Sequence, residues 1–235
     1  MIEIRPFASL GGGDHGWLKA RHHFSFADYR DPARMGWGRL RVWNDDEIKP
    51  GNGFAPHPHR DMEIVTYVRE GAVSHRDSIG NEGRTEAGDV QVMSAGTGVV
   101  HSEYNHEPVV TKLFQIWILP DRRGVAPSWG TRRFPPAGRT ARFAVLASGR
   151  PQDAGADALP INADAAVMAA TLAPGQTLRQ ALAPGRVAYL VPARGAITVN
   201  GVAAGARDGV AIRDEAEIAI TAREEAELVL VETAA

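Results

Sequence analysis

The chain has 235 residues, 44% apolar and 23% charged, with a net charge of -2 and no cysteine. That length suits one large domain or two small ones, with enough apolar residues for a core. The near-neutral balance, with no Lys/Arg run, argues against a nucleic-acid face; the lack of cysteine excludes disulfides and thiolate metal ligands and is compatible with a reducing compartment.

The opening segment MIEIRPFASLGGGDHGW has no apolar stretch long enough for a signal peptide. No run of about 20 apolar residues occurs to span a membrane. The expectation is a soluble, cytoplasmic protein with neither membrane nor nucleic acid as a partner. The GGG at 11–13 has no lysine after it and no strand–helix context, which argues against a phosphate loop. Strand-sized runs rich in β-branched and aromatic residues then follow: GRLRVW (38–43), EIVTYV (63–68), GAVSHRDS (71–78), DVQVM (89–93) and TKLFQIWIL (111–119). SIGNEG (78–83) reads as a hairpin connection. Before residue 145 no long segment has helical periodicity with caps. Many short strands at even spacing predict an all-β sandwich or barrel.

Near residue 147 the composition shifts. ASGRPQDAGADALPINADA (147–165) reads as a linker or long loop. Strand-like runs resume at VAYLVP (187–192), AITVNG (196–201), EIAIT (217–221) and ELVLVE (227–232), with NG at 200–201 as a hairpin signal and REEAE (223–227) as a solvated turn. The expected division is residues 1–135 and 136–235, the second part including the 147–165 linker. The two parts differ in chemistry: all eight histidines lie at or before residue 106, so the second part has no imidazole for a metal and reads as structural.

HPHRDME (57–63) and HSEYN (101–105) carry the candidate site. Residues two apart in a strand point to the same face. His57 and His59 therefore share a face, as do His101 and Glu103, and two neighbouring strands could bring all four onto one ion. Pro56 and Pro58 restrict the backbone beside both histidines and imply an edge strand or strand entrance. Nitrogen and oxygen ligands without sulfur suit Fe, Mn, Co, Ni, Cu or Zn, with iron favoured for oxygen chemistry. Glu63 shares the parity of the histidine pair, and reads either as a fifth ligand or as an acceptor that orients an imidazole. Phe24, Phe26, Trp37, Trp43 and Trp117 are candidates for a pocket wall or for core filling. His22 and His23 could reach the pocket mouth. His15, His75 and His106 read as surface residues.

These segments resemble the cupin motifs. The first spans Gly51, His57, His59, Glu63 and Gly71; the second spans Gly88, Ser94, Gly96, Gly98, His101 and Asn105. Ser94 stands where cupins usually have proline, an extra Thr97–Gly98 step precedes the histidine, and the first motif's last gap is one residue longer. With these departures the chain resembles the pirin family, through HHFSFADYRDP (22–32), HPHRDMEIVTYVREG (57–71), MSAGTGVVHSEYN (93–105) and LFQIWILP (113–120). The resemblance is strong over the first 135 residues. It implies a bicupin, two antiparallel β-barrels of jelly-roll type packed face to face, with metal in the first barrel only. It implies His57, His59, His101 and Glu103 as iron ligands, most simply Fe(II), and a dioxygenase that cleaves a flavonol such as quercetin with O2 and releases carbon monoxide. Glu103 would then be ligand and general base, with Glu63 as the reserve base. The competing expectations are a non-catalytic metal protein acting as a regulatory cofactor or redox sensor with a protein partner, and a metal-free protein with a decayed site. The bicupin arrangement is expected to leave the chain a monomer.

Overall fold

The structure, a computed structural model, describes residues 1–235 and is nearly all β. Its strands are β1 (Ile2–Arg5), β2 (Gly11–Asp14), β3 (Leu18–His22), β4 (Leu40–Ile48), β5 (Gly53–His59), β6 (Glu63–Glu70), β7 (Ala72–Asp77), β8 (Glu82–Glu86), β9 (Val90–Ser94), β10 (Val99–Tyr104), β11 (Thr111–Ile118) and β12 (Ser128–Arg132). There follow β13 (Ala144–Ser148), β14 (Leu159–Pro160), β15 (Ala165–Leu172), β16 (Thr177–Ala181), β17 (Arg186–Arg194), β18 (Ile197–Val199), β19 (Val202–Ala204), β20 (Gly209–Ile212), β21 (Glu217–Ala222) and β22 (Ala226–Ala234).

Each half pairs a seven-stranded sheet with a four-stranded one, the layered arrangement of a cupin. In the first half the orders are β12-β9-β6-β11-β4-β3-β2 and β5-β10-β7-β8; in the second they are β1-β20-β17-β22-β15-β13-β14 and β16-β21-β18-β19. The first strand crosses over: Ile2–Arg5 pairs with β20, so the start of the chain is woven into the second half. The hairpin signals resolve as turns. Asp77 accepts the backbone N–H of Ile79 and Asn81 at 3.1 and 2.9 Å between β7 and β8. Asn200 (φ 46°) and Gly201 (φ 84°) supply the two left-handed positions between β18 and β19.

The two seven-stranded sheets pack against each other through one apolar layer. Trp43, Tyr67, Phe114 and Ile116 of the first half meet Val167, Tyr189, Val191 and Val229 of the second, all fully or almost fully buried. Strand parity sets this layer. In β6 the odd residues Val65 and Tyr67 face it, and in β11 the even residues Phe114 and Ile116 do, which leaves the opposite face of the same sheet for the interior of the first half. Ion pairs cross the layer: Arg207 binds Asp45 at 2.5 Å and Glu47 at 3.1 Å. The 147–165 stretch is docked rather than free. It contains the end of β13 and all of β14, and Asn162 donates its backbone N–H to Glu63 at 3.0 Å. No helix is long and apolar enough to cross a membrane.

Candidate metal centre

The centre lies where β5 meets β10. The pairing is antiparallel, with Val99 opposite His59 and His101 opposite His57, and the register shifts between His101 and Glu103. β5 has one neighbour only, so the missing N–H groups of Pro56 and Pro58 remove nothing from a ladder on its free edge. The strands approach closely at the bulge: a Cβ on Gly53 would lie 2.2 Å from the Glu103 carbonyl oxygen, so a side chain there would push β5 away.

This register brings three imidazoles together. Ring centroids are 4.8 Å apart for His57 and His59, 4.5 Å for His57 and His101, and 4.9 Å for His59 and His101. Their potential ligand nitrogens lie within 4.8 Å of one another. Glu103 is grouped differently: it falls within the same limit together with His101 and His75. His101 and Glu103 are buried, while His57 and His59 are half-buried. Burial, and then the charge of His57, bring the His59 imidazole down to about 4. Burial, followed by the neighbouring His57, His59 and His75, brings His101 down to about 3. Both rings therefore carry free lone pairs at neutral pH.

The nitrogens left over fit a metal ion. His57 Nδ1 donates to the Ala55 carbonyl at 2.7 Å, which assigns its hydrogen to Nδ1 and its lone pair to Nε2. His101 Nε2 is buried without any hydrogen-bond partner. A buried, orphaned ring nitrogen beside two more imidazoles is a donor set without its acceptor.

Below Glu103 runs a row of polar residues that crosses five strands. His22 is opposite Asn44, Asn44 opposite Gln115, Gln115 opposite Thr66, and Thr66 opposite Gln91. All five are buried on the interior face of a sheet whose other face is the apolar layer. The last three members hold the carboxylate. Gln91 Nε2 donates to Glu103 at 2.5 Å, Gln115 Nε2 donates to its second oxygen, and the Thr66 hydroxyl lies 3.2 Å away. Burial outweighs these donors and lifts the Glu103 carboxyl to about 7.

A cavity of about 670 Å³ opens beside the centre, a volume suited to a small-molecule ligand. Its lining includes His22, Phe26, Trp17, Phe54 and Trp117 as well as the three imidazoles and Glu103. Trp117 meets His59 edge-on at 4.9 Å, and Phe26 meets Trp117 edge-on at 5.3 Å. Asp46 also lines this cavity; it is buried, and its Oδ1 has no hydrogen-bond partner.

The other sequence candidates fall elsewhere. Glu63 neither joins the imidazoles nor orients one: its carboxylate accepts from the Ser94 hydroxyl at 2.5 Å and from Asn162, in the layer between the halves. Parity holds only along one strand, and Glu63 opens β6, in a different sheet from β5, beyond a turn with Asp61 at φ 50°. Phe24 and Trp43 do not line the cavity; both are fully buried in the apolar layer. Trp43 is one residue from Asn44 on β4 and so takes the opposite face, while Phe24 lies past the end of β3. Trp37 packs against the same layer. His23 points there too, with Nδ1 2.9 Å from the Tyr189 hydroxyl. His75, expected at the surface, is 1% exposed and stacks on Trp129 at 4.8 Å. His15 is exposed, as expected, but borders the cavity.

Comparison with known proteins agrees with this architecture. A family model described as Pirin matches residues 4–118, and one described as Quercetinase C-terminal cupin domain matches residues 145–233. A Pseudomonas aeruginosa protein, named provisionally as a quercetin 2,3-dioxygenase, is 68% identical over 182 residues, covering 77% of this chain and 78% of that protein. Quercetin 2,3-dioxygenase of Escherichia coli K12 is 53% identical over 137 residues, 57% of this chain and 58% of that protein. The crystal structure of the bacterial pirin YhhW from Escherichia coli in complex with nickel(II) superposes with a TM-score of 0.93 at 41% identity, covering 100% of this chain and 99% of that one. With its paired sheets, its imidazole cluster and relatives matched over three quarters of its length, the chain belongs to the pirin family of two-cupin proteins.

Proposed function

We propose that this chain is a metal-dependent dioxygenase that cleaves a flavonol such as quercetin across its 2,3 bond. The reading is carried by one observation: three clustered imidazoles and a buried carboxyl, grouped with one of them, line the same aromatic-walled cavity of about 670 Å³. The names of its relatives support the same substrate class. His57, His59, His101 and Glu103 hold a single divalent ion, Fe(II) in the cell. Bound there, the ion supplies Lewis-acid polarisation of a phenolic oxygen and one-electron chemistry with O2.

The chain's own groups do the rest. Glu103 is the one carboxylate at the imidazole cluster, and it takes the proton of the flavonol 3-hydroxyl onto a carboxylate oxygen. Gln91 and Gln115 keep that carboxylate in place and stabilise its charge. Phe26 and Trp117 form the aromatic wall that seats a planar ring system next to the imidazoles and limits water. The reaction consumes one O2 and one flavonol and yields a depside and carbon monoxide.

The test is anaerobic loading with Fe(II) followed by quercetin and O2, read as loss of flavonol absorbance with carbon monoxide release. Turnover that disappears in Glu103→Gln supports the proposal. A fully loaded protein without turnover of any flavonol refutes it, and moves the four residues to a regulatory metal protein.

A further inference from the structure

Asp77, His75 and His101 form a line that ends at the metal centre. Asp77 Oδ2 lies 3.1 Å from His75 Nε2, and His75 Nδ1 lies 3.4 Å from His101 Nδ1. The line is rigid. His75 is stacked on Trp129 with the rings 11° from parallel, and Asp77 is fixed by the N–H groups of Ile79 and Asn81 and by the Asn81 side chain at 2.9 Å. Register places these groups together: in the β10–β7 pairing His101 is opposite Asp77, and Glu103 opposite His75.

Donor and acceptor chemistry assigns the hydrogens along this line. An ionised carboxylate only accepts, so His75 Nε2 donates to Asp77. A neutral His75 then has its lone pair on Nδ1. Two ring nitrogens meet productively only when one of them donates, so His101 Nδ1 carries the hydrogen. The remaining nitrogen, His101 Nε2, has the free lone pair, and it is the buried atom without a partner. Free imidazole side chains favour the opposite tautomer, with hydrogen on Nε2. His57 solves the same problem with a backbone carbonyl, that of Ala55.

We propose that His75 and Asp77 are positioning residues for the metal centre: they hold His101 in the Nδ1–H tautomer with its ring plane fixed, so that Nε2 is presented to the ion. The proposal rests on the reading of His101 as a metal ligand. Metal-bound imidazoles commonly donate their second N–H to a carboxylate; here a second imidazole stands between the two.

The test uses the full chain, labelled with ¹⁵N-histidine and metal-free, with long-range ¹H–¹⁵N correlation at pH 7.5. His101 is assigned by its loss in His101→Ala. The wild type should show His101 protonated at Nδ1. His75→Phe, which still stacks on Trp129 but accepts nothing, should return His101 to the Nε2–H tautomer. It should also weaken Ni(II) binding by about 10- to 100-fold in chelator competition. His75→Asn retains an acceptor oxygen near the Nδ1 position and should restore both tautomer and affinity. A wild-type His101 protonated at Nε2 overturns the proposal, as does a Phe variant with unchanged tautomer and affinity. Complete loss of Ni(II) from the Phe variant overturns it differently, by making His75 a ligand in its own right. Undiminished Ni(II) binding by His101→Ala is a separate result: it refutes the metal-centre reading and, with it, the purpose assigned to the pair.

Discussion

Gln115→Leu removes one of the donors that hold the Glu103 carboxylate in the metal centre. Gln115 sits on β11 between Asn44 and Thr66, and its amide donates to the Glu103 carboxylate, which also receives Gln91 and Thr66. Leucine of similar volume removes one of these donors. The Thr66 hydroxyl still has Glu103 Oε1 within 3.2 Å, but Glu103 Oε2 loses its only donor. A hydrogen bond to a charged group contributes about 1.5–3 kcal/mol. That energy acts on the ionised carboxylate, the form the ion requires, so metal affinity should fall roughly 10- to 100-fold. The metal-free chain should melt at a lower temperature at pH 7.5, because Glu103 Oε2 is left without a donor, and the deficit should shrink toward pH 5, where the carboxyl is protonated. Chelator competition at pH 7.5, beside thermal unfolding of the metal-free protein, measures both quantities. Unchanged metal affinity in a folded variant would falsify the role given to the polar row.

Other perturbations address the remaining elements. Because burial lifts the Glu103 carboxyl to about 7, an ion binding below that pH must displace its proton; calorimetry in buffers of different ionisation enthalpy should find proton release near pH 6 that exceeds that of Glu103→Gln, with the excess vanishing by about pH 8, and equal release in both proteins would refute the assignment. The Asp46 carboxyl is raised well above its ordinary range, by burial first and then by Asp45 and Glu103. A raised acid contributes stability below its unfolded pKa that is lost as pH rises toward the folded one, so Asp46→Asn should raise the melting temperature of the metal-free protein at pH 7.5, with the gain shrinking toward pH 4; a lower melting temperature at pH 7.5 contradicts this. Trp117→Ala should leave metal content intact and raise KM for quercetin by roughly 2- to 10-fold, from the loss of an aromatic wall; an unchanged KM would remove Trp117 from the binding surface.

The grouping of the three histidines was legible because His57, His59 and His101 lie on two strands that pair directly, so parity within each strand sufficed. The same rule misplaced Glu63, since a turn and a change of sheet intervene between it and His59. Aromatic residues were ambiguous for a related reason. A sheet packed on both faces shows continuous apolar strands, and Trp43 and Trp117 differ only in which face their parity selects. The polar row did leave a signal. Thr66, Gln91 and Gln115 each stand singly within an apolar strand, where a buried polar side chain needs a partner. That signal names residues that require a partner but not the partner, since the cross-strand register that aligns them is a tertiary fact. His75 carried no comparable mark, as GAVSHRDS reads equally well with either face outward.

The most direct measurement is metal content, by elemental analysis after anaerobic loading and desalting, of the wild type and of His101→Ala with a matching circular dichroism spectrum. The account predicts one ion per wild-type chain and none in the variant. One ion per chain retained by a folded His101→Ala would contradict it.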